Sequence, residues 1–130
     1  VIVVDASVLV DALLDDGPAG SAARAALTPD AEWAAPPVLP VEVLSVARRR
    51  VLRGQVAPQR AADAVDALAG FEVTWADPVA LVTRIWELRE NVTAFDAAYV
   101  ATAELLDCDL LTGDHRLVRA SGPRCRIRTP

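Results

Sequence analysis

Residues 1–10 read VIVVDASVLV, and the fold turns on how this stretch is parsed. Four aliphatic residues in succession form a short, wholly apolar run, the kind that fills a strand buried on both faces of a parallel sheet. Asp5 ends the run. Ser7 is a good N-cap for a following helix that carries Val8, Leu9, Ala12 and Leu13 and stops near Asp15-Asp16-Gly17-Pro18. An acid at such a junction is either an ordinary turn residue or one member of a site assembled from distant parts of the chain.

The rest of the sequence repeats this alternation. AGSAARAAL reads as a second short helix, and Trp33-Ala34-Ala35 as a brief strand cut off by Pro36 and Pro37. VLPVEVLSVARRRVLRG (38–54) predicts a helix with Pro40 in its first turn, Val43, Leu44, Ala47 and Val51 at helical spacing, and Gly54 at its end. A further helix runs from Pro58 to Gly70. FEVTW (71–75) is a strand, Asp77-Pro78 opens the helix VALVTRIWELRE, and Thr93 caps AFDAAYVATAELLD. CDLLT (108–112) is a strand, HRLVRA makes one or two helical turns, and RCRIR (124–128) alternates like an edge strand. About five short strands alternating with amphipathic helices indicate an α/β fold, one domain over residues 1–130, around a mostly parallel sheet.

Composition narrows the function. With 53% hydrophobic residues the chain can build a substantial core. No apolar run approaches the roughly 18 residues of a membrane span, and the first residues lack the basic start and cleavage site of a signal peptide. A soluble, cytoplasmic protein without membrane contact is the expectation. All 13 basic residues are Arg, and 18 acids leave a net charge of −5. That balance argues against a generic nucleic-acid binder, so any contact with nucleic acid should be local and bridged by cations. Aromatics at 5% argue against a base-stacking platform as well. Cys108 and Cys125 have no metal-ligand spacing and read as buried free thiols.

In parallel sheets, functional groups collect beyond the carboxyl ends of the strands. Asp5 follows the first strand, and Asp114 follows CDLLT after a Thr-Gly step. Glu42 and Asp96 lie in the first turns of their helices. Each has an ordinary structural explanation as a turn, cap or helix-dipole residue. Together they are harder to explain that way. Like charges about 5 Å apart repel by roughly 3 kcal/mol per pair at an effective dielectric near 20. Four gathered carboxylates need a cation or protonation, and oxygen-only ligands point to Mg²⁺ or Mn²⁺ rather than zinc. Such ions suit phosphoryl chemistry. The hydroxyls of Ser7 and Thr112 can orient a carboxylate or a metal-bound water, or can serve as helix caps. Asp11, Asp15, Asp16, Asp63, Asp66, Glu87, Glu90 and Glu104 are expected on helix exteriors or in loops.

VIVVDASVLV, the Glu of LPVEVLS, NVTAFDAAYVATAELL and LLTGDHRL resemble, in order and over essentially the whole chain, the four signature blocks of the PIN domain, and most of all those of the VapC-type toxins. The resemblance implies a three-layer α/β/α sandwich and a metal-dependent endoribonuclease, the toxin of a toxin–antitoxin pair. Its four acids fall on Asp5, Glu42, Asp96 and Asp114, its threonine on Thr112, and its small polar residue on Ser7. Asn91 occupies a place where many such toxins carry a polar residue near the site. Some members carry a further acid two residues after the fourth; here that position is Arg116, which puts a strong second metal site in doubt. The resemblance also implies an RNA substrate, a homodimer and a small antitoxin seated near the acids. The apolar surface for that contact would come from Val8, Leu9, Leu13 and Leu14, unless these are core. Arg49 and Arg53 share a helical face with Glu42, either as phosphate contacts or as a solvated face.

Other acid-bearing α/β proteins fit less well. A receiver domain needs a lysine that this chain lacks. A haloacid dehalogenase-like phosphatase wants an acid at position 7, and an integrin-type metal module wants a serine at position 9, where Leu stands. A non-catalytic PIN-like binding module is the remaining alternative, and it has no need for four mutually repelling acids.

Overall fold

The computed structural model describes residues 1–130. Its centre is the opening run: β1 (Ile2–Val4) is buried at every position and pairs in parallel on both sides. On one side lies β2 (Trp33–Ala35), with Ile2 opposite Trp33, followed outward by β3 (Val73–Trp75). On the other side lies β4 (Asp109–Leu111), with Val4 opposite Leu111, and then the edge strand β5 (Ile127–Arg128). All five strands are parallel in the order β3-β2-β1-β4-β5. Chain order therefore reverses direction at β1, and the gap between the carboxyl ends of β1 and β4 is the switch point where open α/β sheets bind ligands.

Seven helices complete the fold: α1 (Ala6–Leu14), α2 (Pro18–Leu27), α3 (Leu39–Leu52), α4 (Pro58–Ala69), α5 (Pro78–Glu87), α6 (Ala94–Leu105) and α7 (His115–Val118). They flank the sheet in the three-layer α/β/α arrangement. α1 packs against α2, α3 and α4; α6 lies on β1, β2 and β4 and carries α5 on its outer side. Small residues make that sandwich possible. α6 buries Ala97, Ala98, Tyr99, Val100, Ala101, Thr102 and Ala103 in succession, and Thr102 returns its hydroxyl to the Ala98 carbonyl, 2.8 Å away. Gly20 performs a similar service where α2 meets the end of α1, since a Cβ there would sit 1.8 Å from the Asp15 carbonyl oxygen. No helix is long and apolar enough to cross a membrane.

The elements match the expected order, with shorter strands. FEVTW, CDLLT and RCRIR each lose residues at their ends because pairing stops where a neighbour leaves the sheet. α5 ends at Glu87 and α6 at Leu105, both before the expected stops. Two expectations are corrected. Ser7 does not cap α1: Asp5 occupies the N-cap position in extended backbone, and Ser7 lies inside the helix. Val8, Leu9 and Leu14 are core residues and offer no apolar surface to a partner; Leu13 is half-buried. Apolar surface occurs elsewhere, on α5 at Val79, Val82 and Trp86, and in a groove of about 510 Å³ between α3 and α4 lined by Leu44, Val51, Leu52 and Val65.

Candidate active site

At the switch point the loops after β1 and β4 are joined by side chains. Asp5 is only 7% exposed, and its Oδ2 accepts hydrogen bonds from Ser7 Oγ at 2.8 Å and Thr112 Oγ1 at 2.6 Å. Thr112, fully buried, in turn accepts the Asp114 amide at 3.0 Å, while Ser7 accepts the Gly113 amide at 2.9 Å. The two hydroxyls therefore hold both loops in one arrangement and fix the direction of the Asp5 carboxylate. Its Oδ1 takes no hydrogen bond from the protein. Gly113 permits this approach, since a Cβ there would crowd Ser7 Oγ at 3.3 Å.

Glu42 reaches the same place from the first turn of α3, where Tyr99 of α6 donates its hydroxyl to Oε2 at 2.5 Å. Asp96 comes from the first turn of α6. Thr93 Oγ1 accepts its amide at 3.2 Å, and Asp96 lines the cleft. Asp5, Glu42, Asp96 and Asp114 line one cavity of about 320 Å³, together with Ser7, Asp11, Val46 and Arg50. Asn91 lies in an adjoining depression of about 200 Å³ with Thr93, Asp96, Asp114 and Arg116.

Electrostatics distinguish the acids. Burial pushes the Glu42 carboxyl up; the Tyr99 hydrogen bond opposes this, and the charges of Asp5 and Asp96 add to it. Burial likewise raises Asp96; a hydrogen bond with the Thr93 side chain opposes this, and the charges of Asp5 and Asp114 add to it. Asp114 goes the other way, because the Arg116 guanidinium hydrogen-bonds it. The repulsion foreseen from the sequence is thus felt at Glu42 and Asp96 and relieved at Asp114.

The donor set is all oxygen, as a hard divalent cation requires, and Asp5 keeps one oxygen free of protein hydrogen bonds. No three carboxylates converge to metal-ligand spacing in this conformation. The chemistry of the donors fits such an ion; the enclosure is open.

Three residues at the site escaped the sequence reading. Arg50 lines the cavity and pairs with Asp11 at 3.8 Å, whereas Arg49 and Arg53 lie exposed on α3 outside it. Helical spacing gave no signal for Arg50: Arg49 and Arg53 lie within about 20° of the Glu42 direction and Arg50 about 80° away, so only packing places it at the cavity. Asp11, expected on a helix exterior, sits one turn beyond Ser7, and burial raises its carboxyl while Arg50 opposes that rise. Tyr99, the chain's one tyrosine, lies three residues after Asp96 on α6. Elsewhere, Cys108 and Cys125 are free, half-buried thiols, and burial holds Cys125 up at about 11.

A PIN domain family model matches residues 2–123. Ribonuclease VapC1 of Mycobacterium tuberculosis is 40% identical over 127 residues, covering 97% of this chain and 95% of that protein. Among solved structures, PAE2754 from Pyrobaculum aerophilum superposes with a TM-score of 0.71 at 20% identity, covering 97% of this chain and 81% of that one. A toxin–antitoxin complex from Klebsiella pneumoniae superposes with a TM-score of 0.62 at 20% identity, covering 100% and 98%.

Proposed function

Because the chain belongs to the PIN-domain family, in its VapC branch, we propose that it is an endoribonuclease, the toxin of a toxin–antitoxin pair, which hydrolyses RNA phosphodiester bonds with Mg²⁺ or Mn²⁺. The observation that carries this reading is the shared cavity of Asp5, Glu42, Asp96 and Asp114 at the switch point of the sheet. A structural role accounts for any one of these acids but not for the cost of gathering four.

Asp5, Glu42, Asp96 and Asp114 would hold the cation. When bound, it neutralises phosphodiester charge and lowers the pKa of a coordinated water. The protein's own contribution is orientation. Ser7 and Thr112 hold Asp5 by one oxygen and leave the other free of protein hydrogen bonds. Tyr99 stabilises the ionised form of Glu42 by donating to it. Arg50, paired weakly with Asp11 at 3.8 Å, is the cation within the cavity suited to orient a phosphate of the RNA backbone.

The antitoxin and homodimer parts of the proposal draw on the likeness to the Klebsiella toxin–antitoxin complex and on two apolar surfaces. The groove between α3 and α4 suits an amphipathic segment, and the exposed row of Val79, Val82 and Trp86 on α5 suits a second copy of the chain. Expression in a heterologous bacterium tests the reading. Growth arrest that Asp96→Asn relieves supports an enzyme, while equal arrest by both forms points to the non-catalytic binding module.

A further inference from the structure

Arg116 stands where some members of the family carry another acid, and its side chain is committed in a specific way. Its Nε lies 3.2 Å from Asp114 Oδ1 and one Nη 3.0 Å from Oδ2, while its own amide donates to Oδ1 at 2.8 Å. Both oxygens of the fourth acid are therefore engaged by one residue. The fork is the geometry in which guanidinium and carboxylate match best. Asp5 differs, since its partners are neutral hydroxyls on one oxygen only. The Arg116 charge also reaches Asp96 across the adjoining depression.

From this geometry we infer that Arg116 competes with the divalent cation for Asp114, holding that carboxylate out of the resting ligand set. The guanidinium is then a positive centre of the site in addition to Arg50. The inference rests on the reading of the cleft as a cation site and specifies how that site is loaded. With Asp114 held by Arg116, only Asp5, Glu42 and Asp96 of the four acids remain open to the ion, and they do not converge to metal-ligand spacing in this conformation; Asp114 joins only when Arg116 lets go. The Arg116 side chain is 87% exposed, so the pair is screened and easily parted. A phosphate of the RNA backbone offers the guanidinium an equivalent fork, which would free Asp114 as substrate arrives. In this role Arg116 is a positioning residue.

Mn²⁺ titration of the full chain, with free Mn²⁺ followed by its paramagnetic resonance signal, tests the inference without an activity readout. Arg116→Ala retains the backbone bond that caps α7 and removes only an exposed side chain, so the fold should persist. It should bind Mn²⁺ about twofold to fivefold more tightly than wild type, the range that release of an exposed ion pair supports. The gain should shrink markedly in an Asp114→Asn background, because the liberated carboxylate is its source. No gain on Arg116→Ala, or the same gain in both backgrounds, overturns the inference, the latter because Arg116 would then act only through its bulk charge. Asp5→Asn separates the two levels. If it weakens Mn²⁺ binding while Arg116→Ala changes nothing, the cation site stands and the inference falls; if it leaves binding unchanged, both fall.

Discussion

Thr112 donates its hydroxyl to Asp5 across 107 residues of sequence, over 2.6 Å, and this bond joins the two strands that flank the switch point. The same oxygen accepts the Asp114 amide, so one buried hydroxyl places two of the four acids. Thr112→Val keeps the shape and removes both interactions. RNA cleavage should fall by about tenfold to a hundredfold, the usual effect of losing a group that orients a metal ligand. A folded variant, checked by circular dichroism, with wild-type cleavage would remove Thr112 from the account.

Tyr99 bears on Glu42 in a different way, through its charge. Its hydrogen bond favours the ionised carboxylate against the burial that raises it. Tyr99→Phe removes the donor and keeps the buried ring, so the Glu42 carboxyl should rise further. The acid limb of the pH–activity profile should then shift to higher pH. A rate loss uniform across pH would show that Tyr99 acts by packing alone.

Stability and function should oppose each other at the cleft. Glu42 and Asp96 have folded-state carboxyls raised above their ordinary values, chiefly by burial. Their ionised forms are therefore disfavoured by folding. The stability they contribute is fully present below the ordinary carboxylate pKa and is lost as pH rises through the folded values. At neutral pH without divalent ions, Asp96→Asn and Glu42→Gln should each raise the melting temperature while lowering cleavage. The rise should be no more than a few degrees, because both groups are partly open to solvent and screened. Calorimetry in EDTA checks this, and a lower melting temperature in both variants would contradict it.

Glu104 has the opposite sign and lies away from the cleft. It accepts Arg84 Nε at 2.6 Å and Nη2 at 3.1 Å, and the Arg124 amide at 2.7 Å, which fastens α5, α6 and the segment leading to β5. Burial pushes its carboxyl up, but the Arg84 and Arg124 hydrogen bonds outweigh burial and leave it below the ordinary 4.5. This contribution is present above that value and lost as pH falls through the folded one. Glu104→Gln should cost roughly 1.5–3 kcal/mol at pH 7. In urea titrations the gap from wild type should narrow at pH 3; a gap independent of pH would argue against an ionic contribution.

What the sequence disclosed followed from local signals. VIVV announced a buried parallel strand because four apolar residues leave no solvent face, and Asp5, Glu42, Asp96 and Asp114 stood at strand ends or first helical turns that the fold class brings together. What it concealed depended on side-chain direction. Ser7 is a good helix cap by residue type, yet α1 begins before it, at Ala6, and its hydroxyl donates to Asp5 and accepts the Gly113 amide across the switch point. Arg50 was passed over for Arg49 and Arg53 because several arginines in succession occupy all sides of a helix, and only packing shows which faces the acids. Leu9 and Leu14 looked available for a partner because an amphipathic stripe does not reveal whether its cover is the chain's own core.

The central claim is that four carboxylates form a cation site that cleaves RNA. The most direct measurement is cleavage of a structured RNA by the purified chain with Mg²⁺ or Mn²⁺, repeated in excess EDTA and with Asp5→Asn. The account predicts cleavage with either ion, none in EDTA, recovery when the ion is restored, and a loss of about a hundredfold or more in Asp5→Asn, whose carboxylate anchors the loops and is proposed to hold the ion. Cleavage that persists in EDTA, or an Asp5→Asn protein as active as wild type, would contradict it.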